Sequence, residues 1–372
     1  MQKPKLIWLN IIVFTLTGLI TLFGVPAYAL TYGFDGWQVA AMIAGVIFCE
    51  ISITAGYHRL WSHRAYEAHW LTRLFFAIGG TFATQNSILH WASDHRIHHH
   101  HVDNDLKDPY SAKKGFWYSH LGWMLRDYGI NPNTDYSNCR DLQKDPIVMF
   151  QHRHYLVLVL AANFGIPLLL GIWHGDILGM LLLAGVARLA IAHHFTFFIN
   201  SLAHIWGSQP YSDKNTSKDN GFLAFLTMGE GYHNYHHSFQ RDYRNGILWW
   251  QFDPTKWLIR GLSYLRLTKN LYRTPLEHIE TARAQMLLIN TTKKLSQQPC
   301  SDTMIKQLQT EYETLMSKIN EFSQAKKQWV EARKSSMIEH YDLDTLRARV
   351  EALKQSFLQQ KKDWLILNAS FA

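Results

Sequence analysis

Four long apolar stretches constrain the fold of this chain more than any other feature. They cover residues 6–30, 38–56, 155–173 and 177–199, and each is close to the length that a helix needs to cross a bilayer. The mean hydropathy of the whole chain is only -0.16 because polar segments separate and follow these stretches. The sequence therefore predicts an all-α integral membrane protein with four transmembrane helices.

Lysine and arginine predict the orientation of these helices. Lys3 and Lys5 precede the first stretch, and eight basic residues lie between positions 59 and 126, whereas the links 31–37 and 174–176 contain none. Because basic residues are retained on the cytosolic side, both termini and both long polar segments are expected in the cytosol. The protein would be a multi-pass protein of a bacterial inner membrane or the endoplasmic reticulum.

The first apolar stretch has a second interpretation, as a cleaved signal peptide. It follows two lysines and ends in Ala27-Tyr28-Ala29, which is similar to a cleavage site. The stretch is longer than the apolar part of a typical signal peptide, so we expect a retained helix.

Histidines carry the strongest functional signal. Two groups repeat the spacing i, i+3, i+4, which places three imidazoles on one face of a helix. These triplets are His95, His98, His99 and His233, His236, His237. A third group, His58 and His63, is separated by five residues and converges only where a helix unwinds or bends. Neutral imidazole binds iron, copper and zinc, and these nitrogens exceed what one ion accepts. The pattern predicts a polynuclear site, interpreted as a pair of irons.

Other histidines lack such spacing. His100 and His101 continue the first triplet, but their helical angles point away from it, so they are expected on the polar surface. His193 and His194 lie inside the fourth apolar stretch, where a packing or interfacial role is expected.

Four motifs, in order between about residues 35 and 265, resemble the membrane acyl-CoA desaturases of the stearoyl-CoA desaturase type, the delta-9 family. They are segments 53–63, 94–99, 200–204 and 229–237, which read ITAGYHRLWSH, DHRIHH, NSLAH and GEGYHNYHH. The resemblance implies two Fe2+ ions held in a cytosolic helical cap on a stalk of four transmembrane helices. It also implies nine histidine ligands, the ninth being His204, and Asn200 as a ligand that acts through water.

The resemblance further implies a fatty acyl-CoA substrate whose chain lies in a bent tunnel that enforces a cis product. Five residues match substrate-binding positions: Gln85, Trp91 and Thr196 at the bend, and Asn86 and Asp94 near the carrier headgroup. The chain departs from the family pattern at Ser93, where a basic residue is usual, and at Phe197, where a tryptophan is usual.

Acidic residues near the histidines are expected to accept hydrogen bonds from the remote N–H groups of ligating imidazoles. The candidates are Asp94, Asp103, Asp108 and Glu230. Two further charges, Glu50 and Arg188, fall inside predicted transmembrane helices, where a charge is costly unless paired. The helical rise places them at depths about 6 Å apart, which predicts an ion pair between them. The alternative is that either group faces another polar atom.

Beyond about residue 270 glycine disappears, and the sequence predicts a helical extension. Two runs alternate spacings of three and four as in a coiled-coil seam: Leu308, Tyr312, Leu315, Ile319, Phe322, and Leu343, Leu346, Val350, Leu353, Phe357. They could form a helical hairpin, bind a partner helix or dimerise.

These features predict five regions. Residues 1–56 and 155–200 form two transmembrane hairpins, 57–154 and 201–270 form the cap, and 271–372 form the extension. The function expected from the resemblance is an acyl-CoA desaturase that uses O2 and forms a cis double bond, usually at position nine. No segment resembles a haem or flavin module, so electrons are expected from another protein, such as a cytochrome b5-like protein, a ferredoxin or a reductase.

Three alternatives remain open: an acyl-lipid desaturase, a membrane diiron hydroxylase of fatty acids or alkanes, and a non-catalytic metal-binding or metal-transport protein. The net charge of +8 fits anionic lipid, coenzyme A phosphates and an acidic electron-transfer protein equally. No feature indicates a nucleic-acid partner.

Overall fold

The computed structural model describes residues 4–129, 135–298, 301–334 and 340–371. The chain divides into two compact units. The N-terminal unit comprises Met1–Ser208 and Lys214–Arg273, and the C-terminal unit comprises Gln209–Asp213 and Thr274–Ala372.

Helices build the N-terminal unit. In chain order they are α1 (Trp8–Thr31), α2 (Gly36–Ser62), α3 (Trp70–Phe82), α4 (Ile88–His101), α5 (Pro146–Arg153), α6 (Tyr155–His174), α7 (Ile177–Ile205), α8 (Gly221–Leu226), α9 (His233–Ser238) and α10 (Pro254–Tyr264). Helices α1, α2, α6 and α7 are long and apolar enough to cross a membrane. The predicted all-α fold with four such helices is confirmed. Helices α2 and α7 are longer than predicted because they continue into polar, histidine-containing sequence.

The two short links between the long helices meet at one end of the unit. Asp35 begins α2 with its side chain accepting from the backbone N–H of Gln38. The Asp176 carboxylate, in the link before α7, accepts from the Tyr28 hydroxyl at 2.8 Å and from Gln38 Nε2 at 2.6 Å. His174 Nε2 lies 2.7 Å from the Asp35 carboxylate. These contacts join both helical hairpins at the end opposite the histidines.

Short strands tie distant segments together in the polar part of the unit. Strand β1 (Lys5–Leu6) pairs antiparallel with β3 (Arg126–Asp127), and β2 (Glu67–Ala68) pairs antiparallel with β4 (Thr268–Lys269). The first pair places the start of α1 beside the segment that follows the α4 histidines. The second pair joins the turn after α2 to the end of the unit.

The expected ion pair between Glu50 and Arg188 is wrong: within the described ranges no salt bridge joins them. Glu50 Oε1 instead accepts a hydrogen bond from the Thr196 hydroxyl at 3.3 Å. Arg188 donates to the backbone oxygen of Phe82 and to Asn163 Oδ1, both at 2.7 Å. The helical rise gave the depths of the two residues, but not the direction in which each side chain points around its helix.

In the part of the C-terminal unit that the structure describes, there are three helices: α11 (Leu276–Leu295), α12 (Ser301–Lys334) and α13 (His340–Ser370). Helices α12 and α13 run antiparallel, since Phe322 stacks on Phe357 and Tyr312 contacts Trp364. Buried side chains from all three helices form one apolar cluster, which includes Ala284, Leu295, Leu308, Leu315, Ile319, Phe322, Phe357 and Trp364. The coiled-coil seam is therefore used inside the chain, as a helical hairpin that also packs on α11.

Candidate metal centre

The last part of α2 brings His58 and His63 together. Residues Ser52–Ser62 are wound as a π-helix, and the His63 N–H continues the pattern by donating to the backbone oxygen of His58 at 3.1 Å. Because a π-helix closes each turn with an i to i+5 hydrogen bond, residues five apart lie one above the other. The two imidazole centroids are 4.8 Å apart. The local unwinding required by the spacing is therefore present.

The two predicted triplets lie on separate helices that face this segment. Helix α4 presents His95, His98 and His99, and the short helix α9 presents its triplet from its first turns. His204 joins them from the last turn of α7. All nine histidines that the sequence singled out thus converge from four helices.

The nine imidazoles form two adjacent groups. The first contains His58, His63, His95, His99 and His236, and the second contains His98, His204, His233 and His237. Within each group the candidate ligand nitrogens lie within 4.8 Å of one another. The groups touch where the rings of His99 and His237 stack with centroids 4.3 Å apart. This arrangement could hold two neighbouring metal ions.

Nε2 is the nitrogen that points inward. In the first group, His58 Nε2 and His236 Nε2 are 3.0 Å apart, and His63 Nε2 and His95 Nε2 are 2.8 Å apart. In the second group, His204 Nε2 lies 3.1 Å from the Nε2 atom of His233. The Nδ1 atoms of several rings are therefore free to contact the surrounding protein.

Carboxylates orient three of these Nδ1 atoms, two by direct contact and one through a hydroxyl group. Asp108 Oδ1 lies 2.9 Å from His98 Nδ1, and Glu230 Oε2 lies 2.9 Å from His58 Nδ1. Asp103 acts through an intermediate, because the Thr216 hydroxyl donates to its carboxylate at 2.7 Å and lies 2.9 Å from the Nδ1 atom of His204. Three of the four acids predicted to orient the imidazoles thus lie beside them, whereas the fourth, Asp94, contacts His90 at 3.3 Å.

Glu230 is itself fixed by a buried network. Arg59 Nε donates to Glu230 Oε1 at 3.1 Å, and Asn245 Nδ2 donates to Glu230 Oε2 at 2.7 Å. Arg59 also contacts Asp253, so two acids share one guanidinium. Burial opposes ionisation of Glu230, but its interactions with His58 and Arg59 outweigh the burial and hold the pKa of Glu230 below its usual value. A carboxylate therefore persists beside the first histidine group.

The donor set fits transition-metal ions. When the Nδ1–H group of His58 or His204 donates a hydrogen bond to an acceptor outside the centre, Nε2 of that neutral ring presents only a lone pair. Such nitrogens face one another within hydrogen-bond distance, and a cation between them satisfies them together. Burial, followed by repulsion between the rings, lowers the pKa of the imidazoles outside the long helices far below its usual value: His63, His95, His99, His233, His236 and His237. These rings are therefore neutral at physiological pH, the form in which imidazole binds metal ions.

The predicted substrate-binding residues are only partly brought together. Gln85 Nε2 donates to the Thr196 hydroxyl at 2.8 Å, so these two form a pair. Trp91 stacks on His95 with centroids 4.7 Å apart, which places its ring against the first histidine group. Asn86 precedes α4, and its backbone oxygen lies 3.4 Å from the Tyr57 hydroxyl. Asn200, half-buried, ends the regular part of α7 one turn before His204.

The two departures from the family pattern have partners of their own. The Ser93 hydroxyl donates to Asn138 Oδ1 at 2.9 Å. Phe197 contacts the rings of Phe14 and His193. His193 also lies 3.0 Å from the backbone oxygen of Ala83, outside the histidine groups.

Sequence reasoning missed several residues that position the centre. Thr216 lies in a loop and has no spacing that links it to His204. Arg59 was visible as the residue after His58, but its two acidic partners lie more than 170 positions away. Tyr110, whose hydroxyl is 3.2 Å from His95 Nδ1, likewise depends on the tertiary fold.

Comparisons with known proteins agree with this geometry. The family model described as fatty acid desaturase matches residues 35–270. Acyl-CoA desaturase 1 of Saccharomyces cerevisiae is 47% identical over 248 residues, which cover 66% of this chain and 48% of that protein. A probable acyl-CoA desaturase of Schizosaccharomyces pombe is 46% identical over 71% of this chain and 56% of its own length. Human stearoyl-CoA desaturase 5 is 31% identical over 76% of this chain and 86% of its own length. The chain therefore spans about half the length of the two yeast relatives.

Proposed function

The chain belongs to the fatty acid desaturase family, and on that premise we propose that it inserts a cis double bond into a long saturated fatty acyl-CoA, at position nine. The observation that carries the proposal is the convergence of nine imidazoles into two adjacent groups of five and four. The motifs between these histidines are those of the family, and the relatives are named as acyl-CoA desaturases.

The proposed cofactor is a pair of Fe2+ ions. His58, His63, His95, His99 and His236 would hold one ion, and His98, His204, His233 and His237 the other, with Asn200 acting through water. Bound iron would supply the activation of O2, which no side chain can perform on an unactivated methylene. An all-imidazole set leaves the positive charge uncompensated, and the nearby carboxylates of Asp108 and Glu230 balance part of it.

The chain's own residues are proposed to position the substrate and exclude water. Gln85 and Thr196 hydrogen bond to each other beside Glu50, and Trp91 lies against His95. We propose that the bend of the acyl chain lies along these side chains, with Asn86 and Asp94 nearer to the carrier headgroup. Seven of the nine clustered histidines are buried, which supports the exclusion of water, since a dry site protects a reactive oxidant from solvent.

The proposed partners follow from the same reaction. Electrons would come from an electron-transfer protein of the cytochrome b5, ferredoxin or reductase type, and the four long helices would lie in the bilayer. We propose that both termini and the histidine centre lie in the cytosol, on the basis of the lysine and arginine distribution. The pairing of β1 with β3 supports a common side for the N-terminus and the segment after α4.

The test is the fatty-acid profile of cells that express the full chain, measured by mass spectrometry with location of double bonds. Wild-type protein is expected to add a new cis double bond. His98→Ala and His236→Ala, one from each group, should abolish the product and lower the bound iron. His100→Ala is the matched control, because His100 lies on the same helix with an exposed side chain.

Each outcome separates the candidate functions. An added hydroxyl instead of a double bond would identify a hydroxylase, and desaturation of intact lipids without any acyl-CoA product would identify an acyl-lipid desaturase. Metal binding without a change of lipids would support a non-catalytic role. Full activity in both histidine variants would refute the proposed centre.

A further inference from the structure

Arg188 is a charged residue buried inside α7 without an acid to neutralise it. Its side chain is 0% exposed, and among the residues that the structure describes no carboxylate lies within ion-pair distance of it. A charge inside a membrane span is costly unless other groups stabilise it, and such residues are usually functional. The groups that stabilise Arg188 therefore indicate its role.

Dipoles from three other helices take the place of a carboxylate. Arg188 Nη1 donates to the backbone oxygen of Phe82 at 2.7 Å, and Nη2 donates to Asn163 Oδ1 at 2.7 Å. The guanidinium also lies 3.5 Å from the centre of the Phe82 ring and 3.6 Å from Cys49 Sγ. Phe82 is the last residue of α3, where unpaired carbonyl groups carry the negative end of the helix dipole. Arg188 thus caps α3 from within the membrane-spanning part of the unit.

The same network holds the segment that follows α3. Asn163 accepts from Arg188 through Oδ1, which turns its Nδ2 toward the Thr84 hydroxyl at 3.0 Å. The next residue, Gln85, donates to Thr196 of α7 at 2.8 Å. Each of residues 82–86 therefore makes a hydrogen bond with a polar side chain of the long helices.

This segment needs such support because its backbone is strained. Thr84 has a φ of 53° and Asn86 a φ of 75°, so both occupy the left-handed region that non-glycine residues seldom adopt. Strained conformations of this kind persist only where the surrounding structure imposes them, and they concentrate at functional sites. Gln85 lies between the two strained residues.

We propose that Arg188 is a positioning residue that sets the place of Gln85, and with it the bend of the acyl chain, by clamping the end of α3 and orienting Asn163. This inference rests on the proposed function, because it assigns a consequence for where the double bond forms. It assigns Arg188 no contact with the substrate. The fork of the guanidinium matters as well as its charge, since two acceptors on different helices are bound at once.

The test compares Arg188→Gln, Arg188→Lys and Asn163→Ala with wild type in the full chain. Arg260→Gln is the matched control, because it makes the same change at an exposed site on α10. Protein amount and bound iron are measured with each variant, along with kcat, KM and the position of the double bond. We expect wild-type amounts of iron, a kcat that falls about ten- to hundredfold, as for a misplacement of about 1 Å, and a second double-bond position in the product.

Three results distinguish the possibilities. If Arg188→Lys matches wild type, the charge alone is sufficient and the clamp is refuted. If Arg188→Gln fails to fold, Asn163→Ala decides, since it keeps the charge of Arg188 and removes the link from the guanidinium through Asn163 to Thr84; unchanged product positions and kcat in that variant would overturn the inference. If wild-type protein forms no double bond at all, the proposed function fails before the inference is reached.

Discussion

Asp108→Asn is the change that most directly probes how the protein orients the imidazoles of the proposed metal centre. The Asp108 carboxylate is buried, and Oδ1 accepts from His98 Nδ1 at 2.9 Å and from the Tyr110 N–H at 3.2 Å. Its other oxygen accepts from the Asp103 N–H at 3.0 Å. Both oxygens face donors, so an asparagine, whose amide has one acceptor and one donor group, cannot satisfy both positions.

Two costs follow from this geometry. Loss of a partner that orients a ligating imidazole typically weakens metal affinity by about 10- to 100-fold, which is about 1.4–2.7 kcal/mol. One buried N–H facing the new amide group costs about 1–3 kcal/mol of folding free energy. Burial raises the pKa of Asp108, but the contact with His98 and the hydrogen bonds from two backbone N–H groups have the larger effect and lower the pKa overall. The wild-type group is therefore a carboxylate, which would balance part of the charge of a bound metal.

The assay is competition for iron between the purified full-length protein and a chelator of known affinity, with bound metal measured by mass spectrometry. Asp105→Asn is the matched control, because it removes the same charge three residues earlier, at an exposed position of the same loop. We expect weaker iron binding in Asp108→Asn only. Equal affinities in the two variants, with both folded, would refute the view that this carboxylate positions His98.

Three further predictions concern stability. Gly80→Ala should lower the free energy of unfolding by about 1–3 kcal/mol, because a Cβ there would overlap the Tyr57 ring. Gly261→Ala, where a Cβ would meet nothing within 4 Å, should raise it by up to about 1 kcal/mol. Thermal unfolding in detergent compares the two variants. Leu308→Ala removes a buried side chain and should lower the stability of the C-terminal unit by about 2–5 kcal/mol. The measurement is hydrogen exchange of the full chain, which should become faster in α12. Asp176→Ala should cost about 1–3 kcal/mol through the lost contacts between the helical links, and unchanged thermal unfolding would contradict this.

Much of the architecture could be predicted because it depends on local periodicity. The four apolar stretches have the length that a bilayer demands, and the structure has four helices at those positions. In each histidine triplet the spacing i, i+3, i+4 matches the helical repeat of 3.6 residues, so the three side chains lie on one face of their helix. The coiled-coil spacing of the C-terminal extension could also be predicted from the sequence. That spacing did not distinguish a hairpin within the chain from contact with a partner.

Other features arise only when distant segments meet. No spacing could place Thr216 beside His204, or turn Arg188 toward the end of α3 rather than toward Glu50. Axial distances along helices follow from residue numbers, but rotation about each helix and the choice of neighbour depend on packing of the whole unit.

The amino-acid order by itself thus determined the number of long helices and the residues that carry imidazole, because both depend on counts and on intervals of a few positions. The tertiary structure alone decided how the imidazoles divide into groups of five and four, which acid holds which ring, and how a buried guanidinium is stabilised. Hydrogen bonds form between atoms that are close in space, whereas the residues concerned can be far apart along the chain: His58 and His236, in one group, are 178 positions apart.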